Sequence, residues 1–211
     1  MNSLFNSDNY VFRFLGRITD CLILNLLFIL CSIPIVTIGP AVCALYYCMM
    51  KIVRDRDSSI TRMFFQSFRL NLRQGILMTL LFLAMALILV VDIRACDIFE
   101  FSASGFIQIM LYILSFILFA IASYVFPLLA QFDNTVRNTF KNAFYMALTN
   151  CGYSMIIIVL NSIPLILFLF FPELFILTVP LWLSFGFAII AIINAKMFVN
   201  IFNKYIPENQ E

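Results

Sequence analysis

The chain has 211 residues, 64% of them hydrophobic and only 11% charged, against roughly a quarter charged in an ordinary soluble domain. It carries 13 Lys and Arg, 11 Asp and Glu, and no His. A soluble enzyme, a secreted disulfide scaffold and a nucleic-acid binder are thereby excluded, because soluble helices need a polar face and a net charge of +2 recruits no polyanion.

Every charge falls outside the stretches 21–50, 74–91, 101–132, 142–172 and 174–195. The expected fold is all-α, a polytopic transmembrane bundle forming one integral-membrane domain over residues 1–211. Arg13 and Arg17 precede a long apolar run, but its length and the poor small-residue signal at Ala41-Val42-Cys43 make it an uncleaved anchor rather than a signal peptide.

The first stretch is too long for one span: 30 helical residues would measure about 45 Å against a hydrocarbon core of about 30 Å. The break lies in Ser32-Ile33-Pro34-Ile35-Val36-Thr37-Ile38-Gly39-Pro40. Pro34 removes a backbone donor, Gly39 supplies conformational freedom and Pro40 suits a helix start. Spans over about 12–35 and 40–54 follow, the second short enough to need snorkelling by Lys51 and Arg54 or local thinning. A tight external turn is the simpler reading of Pro34 to Pro40, and a water-lined functional break the alternative, with Thr37 as its hydroxyl.

Beyond Asp55, Ile60, Met63, Phe64 and Phe68 recur at helical spacing opposite Arg62, Gln66, Arg69 and Arg73. This predicts an amphipathic interfacial helix over 59–73, capped by Ser58 or Ser59. A span over 74–91, a polar loop over 92–104 and a span over 106–130 come next, with Pro127 kinking or ending the last. A second amphipathic helix over 134–149, capped by Asp133 or Asn134, places Val136, Phe140, Ala143, Phe144 and Ala147 on its apolar face. Spans over 153–171 and 175–202 complete the chain, joined by a turn at Phe171-Pro172-Glu173. The order amphipathic helix, span, span thus occurs twice, and Ser162-Ile163-Pro164 echoes Ser32-Ile33-Pro34, which suggests an internal repeat.

Six spans put 12 of the 13 Lys and Arg on one side and leave only Arg94 on the other. By the positive-inside rule both termini and both amphipathic helices are then cytoplasmic, in the plasma membrane. A five-span arrangement, with 21–50 as one broken span, gives a weaker asymmetry.

Chemistry-bearing residues are few. The six cysteines lack C-x-x-C spacing and read as packing residues. Without His, paired carboxylates or an activated nucleophile, neither an enzyme nor a cofactor or metal site is expected. Arg13, Arg17 and Asp20 share a helical face as an interfacial anchor, and Lys196 snorkels. Asn25, Gln108, Ser115, Ser123, Asn161, Asn194 and Asn200 lie in the spans and need partners across helices. Interhelical glue is the simpler role for them, and a polar path for a hydroxylated solute, lined by Asn25 and Asn161, is the functional one. Ser184, Ala188, Ala191 and Ala195 form a small-residue stripe for close packing. Phe64, Phe68, Phe140 and Phe144 are the candidates for docking a partner or the bilayer.

The chain resembles the YesL-like family of small bacterial membrane proteins of unknown function. The resemblance rests on Asn25-Leu26-Leu27-Phe28, on Ser32 through Ala41 and on Ala44-Leu45-Tyr46. It continues through Phe64-Phe65-Gln66-Ser67-Phe68-Arg69-Leu70-Asn71 to Phe132-Asp133 and Asn142-Ala143. A Trp associated with the first span is Phe28 or absent here. The resemblance implies a carbohydrate context, since members are encoded beside carbohydrate uptake transporters and polysaccharide-degrading enzymes, and hence an accessory role with a permease as partner. It carries over no catalytic or binding residue and no oligomeric state. A solute channel or transporter in its own right is the alternative, and an integral-membrane enzyme the remaining one.

Overall fold

Pro34 sets the first boundary. A residue preceding proline is driven out of the helical region, and α1 (Tyr10–Ser32) accordingly ends two residues before Pro34, short of the expected 35. A single 3₁₀ turn, Ile35–Thr37, leads into α2 (Ile38–Val53). Within it the Thr37 amide donates to the Pro34 carbonyl at 2.9 Å, and the Thr37 hydroxyl lies 2.7 Å from the Cys31 carbonyl and 2.8 Å from that of Pro34. The hydroxyl thus caps carbonyls that the end of α1 leaves open. These bonds tie the turn back to the end of α1. Thr37→Val should therefore cost about 1 kcal/mol, one hydrogen bond's worth, read as a small drop in melting temperature in detergent.

The computed structural model describes residues 10–54, 59–98 and 104–205. Beyond α2 come α3 (Ile60–Leu70), α4 (Leu72–Ile98), α5 (Ser104–Gln131), α6 (Val136–Thr149), α7 (Cys151–Phe170), α8 (Pro172–Leu181), a π-helical segment Trp182–Gly186, and α9 (Phe187–Phe202). Among the described residues, six helical segments are long and apolar enough to cross a membrane, the last running from Pro172 through Phe202. The chain is a six-span helical bundle. Consecutive spans alternate in direction, so α3 and α6 share one end.

Several boundaries move outward for physical reasons. The 27 residues of α4 exceed the hydrocarbon thickness, so Asp92, Arg94 and Asp97 ride on its last turns instead of in a loop. Gln108 donates to Asp97 there at 2.6 Å. Pro172 occupies the first position of α8, where its missing N–H is harmless and Glu173 complements the helix dipole, so the expected turn shrinks to Phe171. Pro127 and Pro164 lie inside continuous helices. Pro164 therefore has no structural equivalence to Pro34, although the order amphipathic helix, span, span does recur. Ser59 and Thr135 occupy the N-cap positions of α3 and α6, neither bonding through its side chain; Ser58 lies outside the described residues.

The core gathers around α2, which packs on α1, α3, α4, α5 and α9. Of its span 56% is buried, against 11–17% of the other five. A helix more than half enclosed by protein meets less lipid than its neighbours do. Small residues permit the enclosure. Ala188, Ala191 and Ala195 are buried on α9, and Gly39 and Pro40 meet α4 at Gly75 and Thr79. Gly39 donates its amide to the Thr79 hydroxyl at 3.1 Å. A Cβ on Gly39 would overlap that hydroxyl and lie 2.6 Å from Phe126 Cε1 and 2.7 Å from the Gly75 carbonyl oxygen. Glycine is needed at 39 because two helices touch there; the turn itself does not demand it. Pro40 is the third helical residue, not the first, and remains within the turn that lacks intrahelical donors.

The amphipathic helices pack on the bundle. Helix α3 follows α2, with Cys48 Sγ 3.8 Å from the Ile60 carbonyl oxygen and Phe64 fully buried. Helix α6 packs on α5 through Thr139, Ala143 and Met146. All six cysteines are free, Cys43 and Cys48 buried.

Candidate functional site

Asn25 sits in the middle of α1 with no exposed surface. Its Nδ2 donates to the carbonyls of Trp182 at 3.0 Å and Leu183 at 2.8 Å, and its Oδ1 accepts from the Ala188 amide at 3.0 Å. All are backbone groups within or just beyond the π segment, where the wider turn disturbs the usual pairing. The side-chain amide thus acts as an inserted peptide group with both donors and its acceptor engaged. Gly186 completes the motif, since a Cβ there would meet the Trp182 ring at Cδ2 (2.9 Å). Trp182 is fixed in turn by its Nε1 donating to Thr178 Oγ1 at 3.2 Å.

Asn25 and Asn161 therefore do not line a common path. Asn161, half-buried on α7, pairs instead with Asn194 of α9, whose Nδ2 donates to Asn161 Oδ1 at 2.9 Å and to the Tyr46 hydroxyl at 3.1 Å. Ser115 and Ser123 bond carbonyls of their own helix instead of crossing to another.

A polar concavity was not apparent in the sequence. It is a cleft of about 620 Å³ at the end of the bundle shared by α3 and α6. Gln66, Ser67 and Asn71 enter from α3 and its end, Gln74 from the start of α4, Gln131 from the end of α5, and Asp133, Asn134 and Thr135 from the α5–α6 connection. Tyr47 supplies an aromatic wall, with Lys51 Nζ 5.5 Å from its ring centre. Arg54 Nη1 reaches Gln131 Oε1 at 3.5 Å, and Asn71 Nδ2 donates to the Ser67 carbonyl at 3.0 Å. Five amides, two hydroxyls, one carboxylate and one phenol ring converge there. An adjoining cavity of about 320 Å³ shares Phe132 and Asn134 with the cleft and adds Asn142, Tyr145 and Tyr205. Hydrogen bonds to Thr149 and then Asn150 hold the Tyr205 phenol below its ordinary pKa of 10.

The cleft draws on residues that carry the family resemblance, including Gln66, Ser67, Asn71 and Asp133. Their signal in the sequence was a density of Asn and Gln in the two polar segments, which read there only as the solvated faces of helices.

The aromatic docking set divides. Phe64 belongs to the core and stacks with Phe68 at 6.4 Å, and Phe140 packs on Phe82 at 5.2 Å, so none of these three forms an open docking face. Phe144 remains 46% exposed, beside Tyr145 and Leu148 at 63% and 62%.

Fold and cavities together define an integral-membrane helical protein with a polar cleft at one end. Residues 21–93 match the family model described as "Protein of unknown function, DUF624", the family to which the YesL-like proteins belong. This agrees with the resemblance carried by residues 25–46 and 64–71. No curated protein and no solved structure matches the chain.

Proposed function

We propose that this protein is a non-enzymatic accessory of a carbohydrate uptake system in the plasma membrane, with its amide-rich cleft receiving a neutral, polyhydroxylated solute. The composition of the cleft carries this reading. Side-chain amides offer donors and acceptors that complement hydroxyl groups, and an aromatic face packs on the apolar face of a sugar ring. A volume of about 620 Å³ accommodates a small saccharide. With both termini cytoplasmic, the cleft lies on the side where a transported sugar arrives, and Phe144, Tyr145 and Leu148, exposed on α6, form the surface for a permease.

Titration calorimetry of the purified protein against mono- and oligosaccharides tests the cleft. At least one neutral sugar should bind, and Gln66→Leu with Gln74→Leu should weaken it about tenfold or more, equivalent to one or two hydrogen bonds. Absence of binding across the panel would discard the solute. Affinity purification in mild detergent tests the partner: a permease component should be recovered, and recovered less with Phe144→Asp. A protein that is consistently solitary would discard the accessory role.

Orientation is tested in a variant stripped of its native cysteines, with Ser7→Cys, Ser102→Cys and Gln210→Cys introduced singly. Only position 102 should react with an impermeant thiol reagent from outside. Transport in its own right is the second reading, and it predicts saccharide flux into proteoliposomes above that of empty vesicles. The accessory role is favoured because the cleft and the mid-bundle cavity beside Asn161 have no lining residue in common.

A further inference from the structure

Helix α3 turns a basic face outward. Its buried side is made by Phe64 and Ser67, and Arg62 and Arg69 lie on the opposite side, both exposed and two turns apart on one stripe. Phe65 lies between them, 49% exposed, its ring edge-on to buried Phe64 at a centre distance of 5.9 Å. Arg73, also exposed, follows at the start of α4. Residues 60–73 contain three Arg and no Asp or Glu, and the acids that precede them in the chain, Asp55 and Asp57, are matched by Arg54 and Arg56.

This face cannot move far from the bilayer. Asn71 alone separates α3 from α4, whose apolar span begins at Leu72. Helix α3 is itself only about 16 Å long and packs on α1, α2 and α4. The stripe is therefore held at the level where lipid headgroups lie. A half-exposed aromatic ring at that level suits the boundary between headgroup and acyl chain, where amphipathic helices bury apolar side chains beside basic ones.

We infer that Arg62, Phe65 and Arg69 form a binding site for an anionic phospholipid, the guanidinium groups taking its phosphate and the phenyl ring packing on the first carbons of its acyl chains. A guanidinium pairs with phosphate oxygens through a planar fork of donors. Three cations in a segment without an acid disfavour a zwitterionic headgroup, whose ammonium they would repel. A soluble acidic protein would meet the arginines but would have no use for an aromatic ring at the level of the bilayer. The charge asymmetry that orients a membrane protein asks only that Lys and Arg lie on one side; it does not ask that two arginines bracket an exposed phenylalanine.

The purified protein in a neutral detergent would be titrated with dioctanoylphosphatidylglycerol, with dioctanoylphosphatidylcholine, and with glycerol phosphate as a headgroup without acyl chains, and followed by its melting temperature. The anionic lipid should raise that temperature saturably, and the other two should not. Arg62→Gln with Arg69→Gln should weaken the apparent affinity about tenfold or more, since each basic residue near an anionic surface contributes about fivefold. Phe65→Ser should weaken it about threefold or more by removing the apolar contact. Arg62→Lys with Arg69→Lys should retain most of the affinity, and Arg94→Gln, at the far end of α4, should leave it unchanged. All four positions are exposed, where substitutions change stability little. No response to the anionic lipid, an equal response to phosphatidylcholine or to glycerol phosphate, undiminished affinity in the double Gln variant or in Phe65→Ser, or an equal loss in Arg94→Gln would overturn the assignment.

Discussion

Asn25→Leu should lower stability by about 2–4 kcal/mol and sharply reduce the amount of protein recovered from membranes. Leucine matches the size of the side chain and suits the bilayer, so a hydropathy argument expects little change. The structure expects otherwise, because the substitution strips partners from the Trp182 and Leu183 carbonyls and the Ala188 amide at a buried site. Each buried polar group left unpaired costs about 1–3 kcal/mol, whereas single interhelical hydrogen bonds in membranes average only about 0.6 kcal/mol. The expected value lies between the sums these two figures give for three groups. Detergent melting curves of wild type and Asn25→Leu provide the measurement, with Asn200→Leu, at an exposed position on α9, as the control. Equal stability of Asn25→Leu and wild type would show that the π segment satisfies itself without the asparagine.

Gly39→Val carries the second large effect, at or above the upper end of the about 1–3 kcal/mol typical of overpacking. One of the atoms that crowd a Cβ at this position cannot turn away: the Gly75 carbonyl oxygen belongs to the backbone of α4. Relief requires α2 and α4 to separate, which also breaks the bond from the Gly39 amide to Thr79. Gly75→Ala should produce the same defect from the opposite side, since its Cβ would lie 2.8 Å from Pro40 Cδ and Cγ. The double variant should therefore be less damaging than the sum of the two, because one helix separation relieves both overlaps. Pro40→Ala should cost about 1–2 kcal/mol for the ring methylenes removed from a buried contact, more than its place in the first turn of a helix would suggest. Thermal stability of the four variants, compared with the mild Thr37→Val, checks the set. Gly39→Val as stable as Thr37→Val would mean that the α2–α4 contact is looser than described.

The sequence alone determined the elements and their order. Hydropathy over about 20 residues is a local property, and so is the effect of proline on its neighbours, which is why the six spans, the turn at Pro34 and both amphipathic helices could be read from the chain. It also singled out Asn25, Asn161 and Asn194 as polar residues in need of partners. Which partners they found was a matter of tertiary structure. Asn25 bonds residues more than 150 positions away at a π segment that no local pattern announces. Asn161 meets Asn194 and not Asn25, because rotation of each helix about its axis is set by packing against all its neighbours at once. The same cause buried Phe64, whose amphipathic pattern was compatible with a lipid face or a protein face, and exposed Phe144. It also gathered Gln66, Gln74, Gln131 and Asn134 from four segments into one cleft. In an apolar bundle hydrophobicity fixes where each helix lies relative to the bilayer but hardly distinguishes one side of it from another, so facing and partnership are left to small residues, scattered amides and the shape of the packed neighbours.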